Sequence, residues 1–364
     1  MRLFQYIAFF IFSFCSAIVA VANDGSYFAS GNQLIPIFET DISVQKEILT
    51  IKKVDNNYIE VIVYYEFFNP KEAKEILVGF EANSPSGDVD GQPVGGRHPY
   101  MHDFTVQMNG AILNYDIALV NDSLYVKDGK VHNLKYESIP GNTSGNSVDF
   151  FYVYHFKAHF KKGLNIVKHT YKYNVSSSVA YYYDFEYILT AANRWANKQI
   201  DDFTLIIDMG NFESFFINKT FFDKSEDWLV NGIGKVVEIK KTDEGFYEYD
   251  ALKFHIQTGQ LIFQKKNFKI KGELFLGSER SWVIDRKDQL PFNYHYQEYY
   301  DESNSELERK IYRNLPFARR GYVFKTKDLQ DFFQTQDWYI PNPNYFPNVE
   351  LLHPIEKETL ESRK

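Results

Sequence analysis

Residues 165–175, Asn-Ile-Val-Lys-His-Thr-Tyr-Lys-Tyr-Asn-Val, restrict the fold of this chain more than any other stretch. Val167, His169, Tyr171, Tyr173 and Val175 share one parity, and Lys168, Thr170 and Lys172 the other. Alternation of β-branched and aromatic residues with polar ones predicts a strand with one packed face, and it is incompatible with a helix. The rhythm recurs at 47–53, 58–67, 75–81, 149–160, 181–190 and 203–208, then at 236–240, 252–256, 261–265, 268–270 and 273–276. Turn residues punctuate it: Asp55-Asn56-Asn57, Asn109-Gly110, Asn231-Gly232, Glu244-Gly245 and Thr258-Gly259. The expected architecture is mainly β. One large or two stacked antiparallel β-sandwiches occupy 23–285, a linker covers 286–302, and a small α-helical C-terminal domain covers 303–364.

The first 22 residues carry Arg2, an apolar run from 6 to 22, and the triplet Ala20-Val21-Ala22. This is the layout of a secretory signal cleaved after Ala22, so secretion to the periplasm or outer envelope is expected. Cys15 is the sole cysteine and leaves with the signal, so the mature chain must hold together by burial rather than disulfides. The net charge of −8 becomes −9 without Arg2, which disfavours nucleic acid as a partner. Aromatic residues make up 18% of the chain, more than catalysis needs; core and cross-strand packing accounts for them, with a sugar-stacking surface as the sharper alternative.

Chemistry-bearing motifs are sparse. The loop at 83–99 has no secondary-structure signal and reads as functional or mobile. Within it, Asp88-Val-Asp90-Gly91 lacks the further acidic ligands of a calcium loop. Gly141-Asn-Thr-Ser-Gly145 is no nucleophile elbow, because serine is not central. His155 and His159 sit four apart in a predicted strand, about 13 Å from each other and too far to share a zinc ion. His169 reads as a hydrogen-bonded core histidine. No catalytic residue, metal or cofactor is expected.

The tail has its own pattern. Ser303-Asn-Ser-Glu306 forms a capping box for a helix presenting Leu307 and Ile311, and Pro316 should end or kink that helix. Gly321 suits a left-handed residue after it. Thr326 caps a second helix, 327–334, which offers Leu329, Phe332 and Phe333 to the first. The run Ile311-Tyr-Arg-Asn-Leu-Pro-Phe317-Ala318-Arg319-Arg320-Gly321-Tyr322-Val-Phe324, with Asp328, Trp338-Tyr339 and Pro341, resembles a YARHG domain. Phe317 stands for the motif's tyrosine, and Arg320 replaces its histidine, which removes any role for a titrating imidazole there. The resemblance implies a small extracellular bacterial module of unknown molecular function, found beside peptidases and kinases. Its binding candidates are Arg319, Arg320, Tyr322, Trp338 and Tyr339; Trp338 and Tyr339 read primarily as packing residues.

The body resembles an uncharacterised family of secreted, β-rich bacterial proteins through Val61–Asn69 as strand and turn, His169-Thr-Tyr171, Tyr187-Ile-Leu-Thr190, Trp195, Ile200-Asp-Asp-Phe203 and Ile207-Asp208-Met-Gly210. It implies envelope location and no catalytic residues. Together these readings predict a non-catalytic envelope protein of a Gram-negative bacterium, binding or structural, that presents a YARHG module to a cell-wall component or another protein. The alternative is a carbohydrate-binding or carbohydrate-active protein, with a glycan held on tyrosines such as those of Tyr294-His-Tyr-Gln-Glu-Tyr-Tyr300 or cut by two facing carboxylates.

Overall fold

A computed structural model describes residues 30–36, 41–55, 57–85, 89–120, 131–139, 150–178, 181–241, 248–279, 305–354, 356–357 and 360. In chain order the strands are β1 (Ser30–Pro36), β2 (Ser43–Lys53), β3 (Tyr58–Asn69), β4 (Lys74–Asn83), β5 (Met101–Met108), β6 (Ala111–Ile112), β7 (Asp116–Val120) and β8 (Phe151–Phe160). They continue with β9 (Gly163–Asn174), β10 (Tyr181–Ile188), β11 (Ile200–Asp208), β12 (Glu213–Asn218), β13 (Trp228–Ile239), β14 (Ala251–Phe268) and β15 (Leu274–Glu279). The tail contributes helices α1 (Glu306–Arg319) and α2 (Lys327–Gln334).

The strands join edge to edge in the order β6-β5-β9-β3-β2-β11-β14-β12-β15-β10-β1-β4-β8-β7, with β13 on the free side of β14. Most pairs are antiparallel; β2–β11 and β1–β10 are parallel. The sheet rolls so that its two ends pack face to face. Phe80 of β4 meets Phe104 of β5 at 5.1 Å and Tyr171 of β9 at 4.9 Å, while Tyr154 of β8 meets Phe104 at 4.9 Å. The inward parity predicted for β3 and β9 is the buried one: Ile59, Val61, Val63, Tyr65 and Phe67 on β3, and Val167, His169, Tyr171 and Tyr173 on β9. Trp195 completes this core by packing on Phe67 at 4.4 Å.

Two of the predicted turns are not turns. Asn231-Gly232 lies inside β13 and Thr258-Gly259 inside the 18-residue β14, where Gly232 and Gly259 face each other. A Cβ on Gly259 would stand 2.1 Å from Asn231 O, and one on Gly232 would stand 2.0 Å from Thr258 O. Both residues have positive φ, +101° and +151°. The glycines permit a shared bend at which the backbones nearly touch. Beyond that bend β14 changes partner, from β12 along Ala251–Ile256 to β11 along Leu261–Phe268. Glu244-Gly245 lies outside the described residues.

Asn109 and Gly110 have φ of 51° and 86°, the primed turn predicted for the β5–β6 hairpin. Asp55 Oδ1 accepts the backbone N–H groups of Asn57 and Tyr58, closing the β2–β3 turn. Of the loop at 83–99, residues 86–88 lie outside the described set, and with them Asp88. The remainder is pinned. Buried His98 bridges Asn83 O (3.0 Å) and the Tyr173 hydroxyl (3.1 Å) through Nε2, and Tyr152 donates to Gly91 O at 2.7 Å. His155 and His159 both sit on β8. Gly141–Gly145 is outside the described residues.

His169 departs from expectation in one respect. It is fully buried, stacked between Tyr65 (5.8 Å, 11°) and Tyr171 (6.0 Å, 8°), but neither ring nitrogen has a hydrogen-bond partner among the described residues. Its neighbours offer aromatic faces, so the site takes the ring for its shape. Burial pushes its pKa down to about 3. The unfolded chain binds that proton near pH 6.5 and the folded chain only near pH 3. Stability therefore falls with falling pH across this window and is level above it. His169→Phe should stabilise the body by about 1–2 kcal/mol at pH 7, since two unsatisfied polar atoms vanish. At pH 4 the gain should grow by a further ~3 kcal/mol. Urea titrations of both proteins at the two pH values measure this, and a pH-independent difference would contradict it.

In the tail, α1 begins two residues later than predicted. Ser305 is the N-cap, its hydroxyl accepting from Glu308 N at 3.2 Å; Ser303 is outside the described residues. Leu307 is largely exposed, whereas Ile311 is buried. Pro316 lies in the last turn of α1 without ending it: the helix runs on to Arg319. In the last turn a missing N–H forfeits a single helical bond. Thr326 is the N-cap of α2 by position, without a side-chain bond. Ile311, Leu315, Phe324, Leu329, Phe333, Trp338 and Tyr339 form a separate small core.

Candidate functional site

Three strands of the body, β10, β15 and β12, turn one face inward and the other towards a cleft of about 740 Å³. Along β10, Tyr183, Phe185 and Tyr187 enter the core, so the opposite parity places Glu186 on the cleft side. Along β15, Leu274 and Leu276 enter the core and Phe275 joins Glu186 outside. Gly277 supplies the remaining geometry: a Cβ there would meet the Phe216 ring at 2.9 Å and the Phe275 ring at 3.3 Å. Without it, both rings settle over the strand, 5.9 Å apart, and Tyr181 closes on them at 5.8 and 6.0 Å. Tyr181 and Phe275 make the floor of the cleft, backed by buried Phe216.

The walls are charged. Glu273 accepts the Thr190 backbone N–H at 3.0 Å and the Thr190 hydroxyl, so its carboxylate is committed to the fold. Lys219 is committed to Glu238 at 3.0 Å. No hydrogen bond or ion pair holds Glu186 among the described residues. Burial, and then the charge of Glu273, raises its pKa. Asp184, two residues along the same face, is raised to about 7, by burial and then by Glu186. Glu248, Tyr249 and Lys271 form the rim. No group of three or more metal-ligating side chains occurs among the described residues.

The predicted tail candidates lie elsewhere and are mostly internal. Arg319 is 1% exposed within the helical core, and Trp338 and Tyr339 are buried beside Phe333. Tyr339 donates to Tyr322 O at 2.8 Å, and Tyr322 packs edge-on against Phe324. Arg320 makes a bidentate pair with Glu356, 2.9 and 2.7 Å, and also donates to Pro316 O at 2.6 Å. Gly321 has φ +85°, and a Cβ there would lie 2.5 Å from Ile340 O, so this position is restricted to glycine. The tail rests on the body through Phe212, which packs into its core, and through bonds from Gln257 to Ile340 O and from Lys235 to Gln336 O, each 3.2 Å. Tyr294 to Tyr300 fall outside the described residues. The sequence reading missed Glu186, Phe275 and Gly277. The available signal was an isolated glycine in an aromatic strand, which marks a close approach.

A β-rich body followed by a small helical module is the class these elements define. Residues 292–362 match the model of the YARHG domain, so the module is a YARHG domain. No curated protein matches the chain. Among solved structures, a candidate nutrient binding protein from Legionella pneumophila aligns at 17% identity over 94% of this chain and 100% of its own, with a TM-score of 0.48. An M1 zinc metallopeptidase from Deinococcus radiodurans aligns at 7% identity over 65% of this chain and 42% of its own (TM-score 0.22). Baculovirus P35 aligns at 13% over 68% and 99% (TM-score 0.26). No helix among the described residues is long and apolar enough to cross a membrane.

Proposed function

We propose that the chain is a non-catalytic binding protein of the bacterial envelope, exported by a signal at residues 1–22. Its β body holds a small polar ligand in the cleft and presents the YARHG module to a cell-wall component or a second protein. The observation that carries this reading is the division of labour between the two inner carboxylates. Glycoside cleavage needs two carboxyl groups free to act on opposite sides of a bond. Glu273 is tied to Thr190 through both oxygens, which leaves Glu186 as the one uncommitted inner carboxylate among the described lining residues, with Glu248 exposed at the rim. Such a site holds a ligand without cutting it. A glycan is the second reading, favoured by the partly exposed Tyr181 and Phe275 rings, on which a sugar ring can stack.

The mature protein on a glycan array, together with a reducing-end release assay and crosslinking in the native envelope, tests both parts. Saturable capture without turnover, and a reproducible crosslinked partner, are expected. Release of reducing ends that disappears in Glu186→Gln would refute the non-catalytic assignment.

A further inference from the structure

We propose that the cleft over β10, β12 and β15 binds a small organic ammonium ion, its charge held by Glu186 and its alkyl surface laid on Phe275 and Tyr181. This rests on the reading of the cleft as a ligand site and specifies what enters it.

The argument begins with what the lining lacks. Glu186 is a half-buried carboxylate with no cation or donor paired to it among the described residues, and the charge acting on it is the like charge of Glu273. Asn218 lines the same cleft at 8% exposure, and its Oδ1 also has no partner. Both orphan groups accept hydrogen bonds, so the missing partner is a donor or a cation. Lys219 cannot serve, because it is held by Glu238, and Lys271 stands exposed at the rim without pairing to Glu186.

The floor selects among cations. A metal ion asks for several oxygen ligands, whereas here the surfaces next to Glu186 are aromatic rings. Ring faces carry negative potential and attract ammonium groups, most strongly where water is excluded. Gly277 lets buried Phe216 lie close to the strand as the support on which the partly exposed Phe275 and Tyr181 rings rest. An apolar-jacketed cation satisfies the rings and the carboxylate together. A neutral sugar satisfies the rings and can donate hydroxyls to the carboxylate, but it leaves the negative charge uncompensated.

The test is calorimetric titration of the full mature chain with four probes: choline, glucosamine, and their neutral counterparts 3,3-dimethylbutan-1-ol and glucose. At least one charged probe should bind saturably, at least tenfold more tightly than its neutral counterpart. Choline above glucosamine identifies a quaternary headgroup as the source, and the reverse an amino sugar. Glu186→Gln, nearly isosteric, should remove the preference for charge while leaving the thermal midpoint within a few degrees, and Phe275→Leu should weaken the charged probe several-fold. Equal binding of charged and neutral probes overturns the ammonium assignment but leaves the cleft as a ligand site. Absence of binding by all four overturns the assignment; if the glycan array is also silent, the ligand-site reading falls with it.

Discussion

Replacing Gly259 with alanine is expected to destabilise the body by about 4 kcal/mol, combining the strain of an L-residue at positive φ with overpacking. The new methyl would stand 2.1 Å from Asn231 O, which is backbone and cannot rotate away. For a body of this size that is roughly a 10 °C drop in the thermal midpoint. Gly232→Ala should cost a similar amount, since its Cβ meets Thr258 O at 2.0 Å. The informative measurement is the double variant. Once one methyl has forced β13 and β14 apart, the second finds the space open, so the pair should cost well below the sum of the singles. Strict additivity would mean that the two glycines are tolerated turns rather than one shared bend.

The second large effect concerns the module. Arg320→Met should destabilise the YARHG domain by about 3–5 kcal/mol, the cost of leaving a buried carboxylate without its cation. Glu356 is 1% exposed and takes both of its guanidinium bonds from Arg320. Lysine should restore only part of the loss, because a point charge cannot reproduce the two-pronged geometry. Removing both partners, Arg320→Met with Glu356→Leu, should recover most of the stability. Domain-resolved hydrogen exchange or limited proteolysis of the full chain reads this out. Equal losses in the single and double variants would contradict the pairing. The pair gives the arginine that stands where the motif has histidine a defined structural partner.

Local signals in the sequence proved legible where a residue acts through its own backbone or the parity of its strand. Asn109-Gly110 made its primed turn, Gly321 its left-handed helix end, and the alternation along 165–175 the buried face of β9. The same rules misread Gly232 and Gly259, because a glycine that opens a turn and one that allows two strands to touch are locally identical. Ser303 and Ser305 each begin a serine-x-x-acid spacing, so periodicity could not place the helix start. The strand at Ser30–Pro36 escaped notice because its partners lie far along the chain. The cleft was hidden for a related reason. Tyr181, Phe216 and Phe275 come from three strands, and only their edge-to-edge order makes them neighbours.

β1 lies between β10, which it pairs in parallel, and β4, which it pairs antiparallel. It is therefore the keystone of the rolled sheet, and its registration with Glu186–Ile188 must wait until some 150 further residues have been made. Closure over such a span is slow, because the entropy of a long loop is lost before the pairing compensates it. Until then the side of β1 that β10 will cover is left open, and an unpaired edge is a template for aggregation. Folding of this protein thus turns on one seven-residue strand, whose parallel partner is the last of its neighbours to reach it.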